Sequence, residues 1–375
     1  MDKVSVINCG GYDIDKLDSI IEQHFKTLEA GTPIIHEGNN VLIKPNLIMR
    51  RRPDEATTTH PEFIAAIVRA VKRRGGIAII ADSPGGPYNK QLLKSIYAGT
   101  GMEEIALRES ALLNYDVGTT PVKTNGGQVC SSFDIINPIV NADVVISAAK
   151  LKTHGQMIFS GAVKNLFGAL PGLIKPEFHY RYPDKAVFGN MLVDLCELIK
   201  PEISFIDGIV GMEGNGPTGG SPKNLGVTLA GLNPHALDLY ACSLIGFEPK
   251  DIPTLTAAIE RGLCPGEVKE LEILGDSEIN HSKFKEPDSI SLIFGENLPA
   301  FIREPLNRLF TPRPAIIKNT CIGCGKCAES CPQHTITMKS NKAVIEYTKC
   351  IKCYCCHEMC PKRAIKIKRF KLFGK

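Results

Sequence analysis

Nine of the chain's 14 cysteines fall within forty residues near its C-terminal end. Residues 321–332 read C-I-G-C-G-K-C-A-E-S-C-P, and residues 350–361 read C-I-K-C-Y-C-C-H-E-M-C-P. Each half is C-x₂-C-x₂-C-x₃-C-P. Three thiolates at this spacing curl around one cube of iron and sulfide. The fourth lies too far along the chain to close the same cube comfortably, and Pro332 or Pro361 then turns the chain away. A structural zinc site would show two well-separated C-x₂-C pairs instead. A disulfide framework would need an oxidising compartment, to which nothing in the chain points. The chemistry indicated is therefore one-electron transfer by two [4Fe–4S] clusters. Cys355 has no place in the pattern. It is a spare thiol or a substitute ligand, and the regular spacing of Cys353 and Cys356 favours the first.

Over residues 313–370 the chain resembles the two-[4Fe–4S] bacterial ferredoxins, in which the fourth cysteine of each run ligates the other cluster. The resemblance implies Cys321, Cys324, Cys327 and Cys360 for one cluster, and Cys350, Cys353, Cys356 and Cys331 for the second. Each half would then staple the other, so the module should fold only with its clusters in place.

A second group of chemically capable residues lies far upstream. Residues 150–172 read K-L-K-T-H-G-Q-M-I-F-S-G-A-V-K-N-L-F-G-A-L-P-G. Lys150, Lys152 and Lys164, with His154, could surround a phosphate or carboxylate. His154 could give a proton, since the unperturbed pKa of a histidine suits proton transfer at neutral pH, and Lys152 would stand beside it. The plainer reading makes the lysines surface charges and His154 a cap. Lys44, Asn46, Asp82, Ser83 and Asp207 also follow apolar runs directly, and Asn165 adjoins Lys164, so they join the candidate anion or cofactor pocket. Residues 214–219 match G-x-G-x-x-G, but Pro217 and a following strand replace the helix that a dinucleotide site needs. That loop instead brings backbone close to a ligand or to another loop. No flavin motif stands out, so a flavin is possible but unsupported.

The elements that must position these residues alternate. Apolar runs at 4–8, 41–43, 77–81, 143–149, 204–206 and 225–230 read as strands, and helical patterns occupy 13–29, 60–75, 89–101, 185–199 and 233–245. Strands apolar on both faces and followed by helices imply an α/β body with a mostly parallel sheet covered by helices, its site beyond the carboxyl ends of the strands. This body takes residues 1–295. Residues 296–318 form a connector, with a short amphipathic helix around Leu306, Leu309 and Phe310 and a stiff hinge at Thr311-Pro312-Arg313-Pro314. Residues 319–375 form a small α+β two-cluster ferredoxin-like domain. Within it, Ile336, Met338 and Val344 alternate around a Lys-Ser-Asn-Lys turn, as in a hairpin. The tail A-I-K-I-K-R-F-K-L-F reads as a last strand with a solvated lysine face.

The ordered motifs K-P-N-L at 44–47, T-T-H-P-E-F at 58–63, D-S-P-G at 82–85, K-L-K-T-H at 150–154, K-N-L-F-G at 164–168 and G-M-E-G-N-G-P at 211–217 resemble the domain-of-unknown-function family 362. That resemblance implies the positions of motifs, not a reaction. A net charge of +4 is too small to argue for nucleic acid. No apolar run reaches the ~18 residues of a membrane span, and residues 1–11 lack the features of a signal peptide. Cys9, Cys130, Cys196, Cys242 and Cys264 are scattered and read as buried free thiols, which fits a reducing cytoplasm. Three functions are compatible with these features. One is an oxidoreductase passing low-potential electrons to an anionic substrate or cofactor in the body. The second is a ferredoxin-type carrier docking a redox partner protein, and the third is a cluster-based sensor or assembly protein.

Overall fold

The computed structural model describes residues 1–289 and 311–368. The strands of the body are β1 (Lys3–Asn8), β2 (Asn40–Pro45), β3 (Ile77–Ile80), β4 (Leu112–Leu113), β5 (Thr119–Lys123), β6 (Ser132–Ile136), β7 (Val144–His154), β8 (Ile158–Ser160), β9 (Ile203–Glu213), β10 (Ser221–Gly231) and β11 (Glu272–Gly275). Nine of them form one sheet in the order β11-β1-β10-β9-β7-β2-β3-β4, with β8 folded back on β7, while β5 and β6 make a separate hairpin. The pairs β1–β11, β2–β3, β2–β7, β3–β4 and β7–β9 are parallel. Only β1–β10, β9–β10 and β7–β8 run antiparallel in that sheet. The architecture is the mostly parallel, helix-covered sheet expected from the sequence.

The alternation of side chains along the central strands explains why both faces carry helices. Val41 and Ile43 of β2, with Ile146 and Ala148 of β7, point into a core that holds Phe25, Phe63 and Phe205. Leu42 and Val145 point the other way, into a core with Phe133, Phe188 and Leu192. A third cluster packs Ile206, Leu229 and Leu151 beneath the helix Pro234–Leu244. The helix Ile14–Glu29 is capped by Asp13, whose side chain accepts from the Lys16 amide at 3.0 Å. His60 caps Pro61–Arg73 in the same way, accepting from the Glu62 amide at 3.3 Å.

One boundary matters for function. The apolar run suggested that β7 stops at residue 149, but the strand continues to His154 and is buried throughout. Lys150, Lys152 and His154 therefore sit on a strand inside the protein and not on a solvated loop. Strand propensity alone marks charged residues as an end; here tertiary pairing of Lys150 with Asp207, and then Lys152 with Met212, carries the ladder through a register shift.

The C-terminal module is built from β12 (Arg313–Ile316), β13 (Ile336–Lys339), β14 (Lys342–Ile345), β15 (Ile365–Lys368) and the one-turn helices Lys326–Glu329 and Cys355–Glu358. β12 pairs antiparallel with β15, and β13 with β14. Arg313–Ile316 is thus a strand of the module, within the segment read as connector and hinge, and Leu306, Leu309 and Phe310 lie outside the described residues. The hairpin faces differ from expectation. Ile336 and Met338 share the inner face with their cross-strand partners Ile345 and Ala343, Met338 half-exposed at the rim of a cysteine-lined cavity, while Val344, opposite Thr337, lies on the outer face. In β15, Ile365 and Ile367 are buried and Lys366 and Lys368 exposed, giving the solvated lysine face.

Candidate functional site

The module's own core is made of the residues that would hold its metals. A cavity of about 360 Å³ is lined by Cys321, Cys324, Cys327 and Cys360, and its remaining walls are mainly apolar, with Ile316, Ala343 and Ile365. A second, of about 330 Å³, is lined by Cys331, Cys350, Cys353 and Cys356, with Ile336, Ile345 and Tyr354. Each cavity takes three cysteines from one run and the fourth from the other, which is the crossed arrangement. The amide of Thr335 donates to Cys331 Sγ at 3.4 Å, and that of Ala364 to Cys360 Sγ at 3.1 Å. Both donors lie four residues after the fourth cysteine of their run. N–H···S bonds of this kind tune cluster potential. Cys355 lines neither cavity, so it is not a cluster ligand by position.

Cys355 faces the body instead. There a larger cavity, of about 780 Å³, opens where the carboxyl ends of β2, β3 and β7 meet the module. The body contributes Lys44, Asn46, Asp82, His154, Lys164, Asn165, Lys175 and His179, and the module contributes Ser330, Cys355, Glu358 and Met359. The module is seated by polar contacts around this opening. Thr218 donates to the carbonyl of Glu358 at 2.9 Å, Arg51 to the carbonyl of Cys360 at 3.3 Å, and Arg363 pairs with Glu55 at 3.4 Å. The glycine-rich loop between β9 and β10 is part of that seat. A Cβ on Gly219 would lie 2.6 Å from His357 Nε2, and one on Gly85 would lie 2.5 Å from Met359 Sδ. The loop therefore approaches the ferredoxin helix, not a dinucleotide.

The charges of the cavity fall into two layers. In the deeper layer, Lys44 Nζ lies 2.7 Å from Asp82 Oδ1, both side chains almost fully buried. Lys152 donates to Asn46 Oδ1 and to the carbonyl of Thr57, and Asn46 donates to Asn165 Oδ1 at 3.1 Å. Burial depresses the pKa of both lysines. In the upper layer, Lys164 and Lys175 have no carboxylate within ion-pair distance among the described residues. Lys175 donates to the carbonyls of Ser83 and Pro84, and burial draws its pKa down to about 7. Nδ1 of His179 has no hydrogen-bond partner, although the ring is buried between Phe188 and Phe167.

His154 does not play the part expected of it. Its Nδ1 accepts from the amides of Gln156 and Met157 at 3.1 and 3.2 Å, so the ring proton sits on Nε2, 3.2 Å from Glu358 Oε1. Burial, reinforced by Lys164, takes its pKa to about 4 against the opposing pull of Glu358. The ring is neutral near pH 7 and couples the body to the module. Burial opposes ionisation of Glu358, but His154 and Lys164 outweigh it and hold the carboxyl at about 2.

Of the residues singled out from the sequence, Lys44, Asn46, Asp82, Ser83, His154, Lys164 and Asn165 are brought together around this cavity. Lys150 and Lys152 do not line it. Lys150 is spent on Asp207 at 2.8 Å and on the hydroxyl of Tyr12 at 2.9 Å, and Lys152 on the groups beneath the floor. Lys175, His179, Cys355, Glu358 and Met359 were missed as pocket residues. Glu358 and Met359 sit inside a cysteine run that was read only for its ligands, while Lys175 and His179 lie just past the P-G turn that closes the K-N-L-F-G segment.

The family model described as "Domain of unknown function (DUF362)" matches residues 41–243, more than half of the chain. The chain belongs to the DUF362 family. A second model, described as "4Fe-4S dicluster domain", matches residues 313–361 of this DUF362 protein. With the two four-cysteine cavities, that identifies its cofactors as two [4Fe–4S] clusters. The DUF362 protein is 32% identical over 269 residues to the thylakoid-associated protein sll1697 of Synechocystis sp. (strain ATCC 27184 / PCC 6803 / Kazusa), covering 70% of this chain and 80% of that one. The lactate racemase apoprotein from Thermoanaerobacterium thermosaccharolyticum aligns with a TM-score of 0.40 at 13% identity, over 65% of this chain. The chain spans 57% of that racemase's length. Among the described residues no helix is long and apolar enough to cross a membrane.

Proposed function

We propose that the protein is an iron–sulfur oxidoreductase in which the cavity between body and module binds a small anionic substrate and reduces it. The observation that carries this reading is the shared wall. The helix Cys355–Glu358 supplies a cluster ligand, Cys356, from one side and Cys355 and Glu358 to the cavity on the other. Cys321, Cys324, Cys327 and Cys360, and Cys331, Cys350, Cys353 and Cys356, would hold two clusters that could each supply one electron, which with two protons, one from Lys175 and one from solvent, would balance a two-electron reduction. Lys164 and Lys175 hold the anion from above: neither has a carboxylate within ion-pair distance among the described residues, and Glu358 attracts Lys164 only from farther off. The Lys44–Asp82 pair fixes the floor. Lys175, with its pKa drawn near 7, replaces His154 as the residue able to give a proton at neutral pH. His154 holds Glu358, and with it the wall. The scattered buried thiols suit a reducing, cytoplasmic compartment.

The test uses the holoprotein reduced anaerobically with dithionite and freed of excess reductant. It is mixed with small carboxylates and phosphate esters that carry reducible C=O or C=C bonds, and the visible cluster absorbance is followed. One chemical class should reoxidise the clusters. Lys164→Ala and Lys175→Ala, at unchanged iron content, should slow that reoxidation by about tenfold or more, equivalent to ~1.4 kcal/mol each. If every compound reoxidises wild type and variants alike, the cavity has no part in electron delivery and the carrier reading replaces this one.

A further inference from the structure

The two clusters are unequally placed. Two ligands of one cluster, Cys331 and Cys356, are flanked by residues that line the body cavity, Ser330 and Cys355, and none of its four cysteines is exposed; of the other four only Cys360, through Met359, reaches that wall, so the cluster held by Cys331, Cys350, Cys353 and Cys356 is the inner one. The other has an open side. Cys324 is exposed, and beside it Ile322 leaves 57% of its surface in solvent, a large apolar side chain with nothing described covering it.

The rim of that open side is basic. Lys318, Lys326 and Lys362 are exposed; Lys326 begins the helix that carries Cys327, and Lys362 lines the outer cluster's cavity. Lys342 donates to the carbonyl of Cys321. The one carboxylate on these segments is Glu329. Across residues 313–368 eleven Lys and Arg stand against three Glu, and one of those three, Glu358, is turned to the cavity. The chain as a whole is only +4, so the positive charge is concentrated on the module.

From this placement we infer that electrons enter through the cluster of Cys321, Cys324, Cys327 and Cys360, delivered by an acidic one-electron carrier protein that docks on the lysine rim around Ile322. An exposed apolar centre with a charged rim is the anatomy of a transient protein interface. Rim charges of one sign raise the encounter rate with an oppositely charged partner by roughly 10–10³-fold at low salt. The order of transfer then runs from carrier to outer cluster to inner cluster. The inference does not need the cavity to be catalytic, because cluster reduction is read with no cavity ligand present.

The test is stopped-flow reduction of the oxidised holoprotein by a reduced acidic [2Fe–2S] ferredoxin whose potential lies below that of the clusters. Lys318→Glu, Lys326→Glu and Lys362→Glu are combined in one variant, checked for iron content and for full bleaching by dithionite. The second-order rate should fall by about tenfold or more at low salt, and the decline with added salt seen for wild type should disappear. If the triple reversal fails to load iron, the same three lysines changed to Gln carry the test, with an intermediate fall expected. An unchanged rate overturns the inference, as does a wild type that the acidic carrier does not reduce. Loss of binding to anionic phospholipid vesicles with the carrier rate unchanged also overturns it, since the lysines would then serve a lipid surface.

Discussion

Asp82→Asn isolates the electrostatics of the cavity floor without changing its shape. The asparagine can still accept from the Leu47 amide, which Asp82 Oδ2 does at 2.9 Å. What disappears is the charge opposite Lys44, whose ammonium lies 2.7 Å from Oδ1 with none of its side chain exposed. At an effective dielectric of about 20, that attraction is worth about 6 kcal/mol. The asparagine's single amide oxygen is committed to Leu47, so the amide nitrogen takes the place of Oδ1 as a second donor facing Lys44, whose remaining hydrogen bonds go to the carbonyl of Pro45 at 3.2 Å and to Asn165 Oδ1 at 3.5 Å. Lys44 also has an escape, because it can lose its proton. Releasing it at pH 7 from an ordinary value of 10.5 costs about 5 kcal/mol, which caps the penalty. Both routes lead to a loss of roughly 3–5 kcal/mol, the range for a buried pair deprived of one partner. The pH dependence supplies a signature. With Asp82 gone, the folded pKa of Lys44 falls further below its unfolded value. The unfolded chain then binds more protons across that interval, so stability rises with pH by up to about 1.4 kcal/mol per unit until 10.5. Anaerobic urea denaturation followed by circular dichroism at pH 7 and pH 9 measures both effects. A loss under about 1 kcal/mol at pH 7, or a gap from wild type that does not narrow at pH 9, would refute the account. Lys44→Met combined with Asp82→Leu should regain most of the loss, since an apolar pair needs no counter-charge.

Cys331→Ser should disturb the cluster shared with Cys350, Cys353 and Cys356 and leave the other intact; electron paramagnetic resonance of the reduced protein, showing which signal is lost, decides it. Cys355→Ser should retain the full iron and sulfide content, and a loss of iron would make Cys355 a ligand after all. His24 links acid stability to the core. Thr228 gives its hydrogen to the carbonyl of Ile7, so it accepts from His24 Nε2, and Ser5 donates to Nδ1, both at 2.8 Å. Burial lowers the ring's pKa to about 3. Because the unfolded chain takes up the proton below about 6.5, stability is lost as pH falls from there toward 3, by about 1.4 kcal/mol per unit for this one site. His24→Gln should flatten that acid limb by up to one proton, measured as the slope of unfolding free energy against pH.

The cluster cysteines were legible because metal geometry fixes their spacing along the chain, so local sequence carries a three-dimensional constraint. The alternation of strand and helix was legible for a similar reason, since the apolar runs of β2, β7 and β9 are buried on both faces. The cavity was only half legible. Lys44, Asp82 and Lys164 stood out by position, but which lysines face a ligand depends on which are already matched. Lys150 is neutralised by Asp207, 57 residues away in sequence, and no local pattern announces such a partner. Glu358 was hidden for the opposite reason: a stronger signal, the cysteine run, surrounded it. The end of β7 was misjudged because buried lysines are rare in strands unless a distant carboxylate or amide receives them.

The wall shared by cavity and module makes the fold a logical conjunction. The one-turn helix Cys355–Glu358 holds its place through Cys356, and a stretch of four residues has no helical stability of its own. Iron oxidised out of the module would release Cys355, Glu358 and Met359 together, and with them one side of the cavity, the contact to His154 and the anchor at Thr218. A molecule stripped of its electron supply would thereby also be stripped of its receptor. Under the proposed function, substrate would meet a complete site only on a chain able to reduce it, and oxygen damage would silence binding and turnover at one stroke.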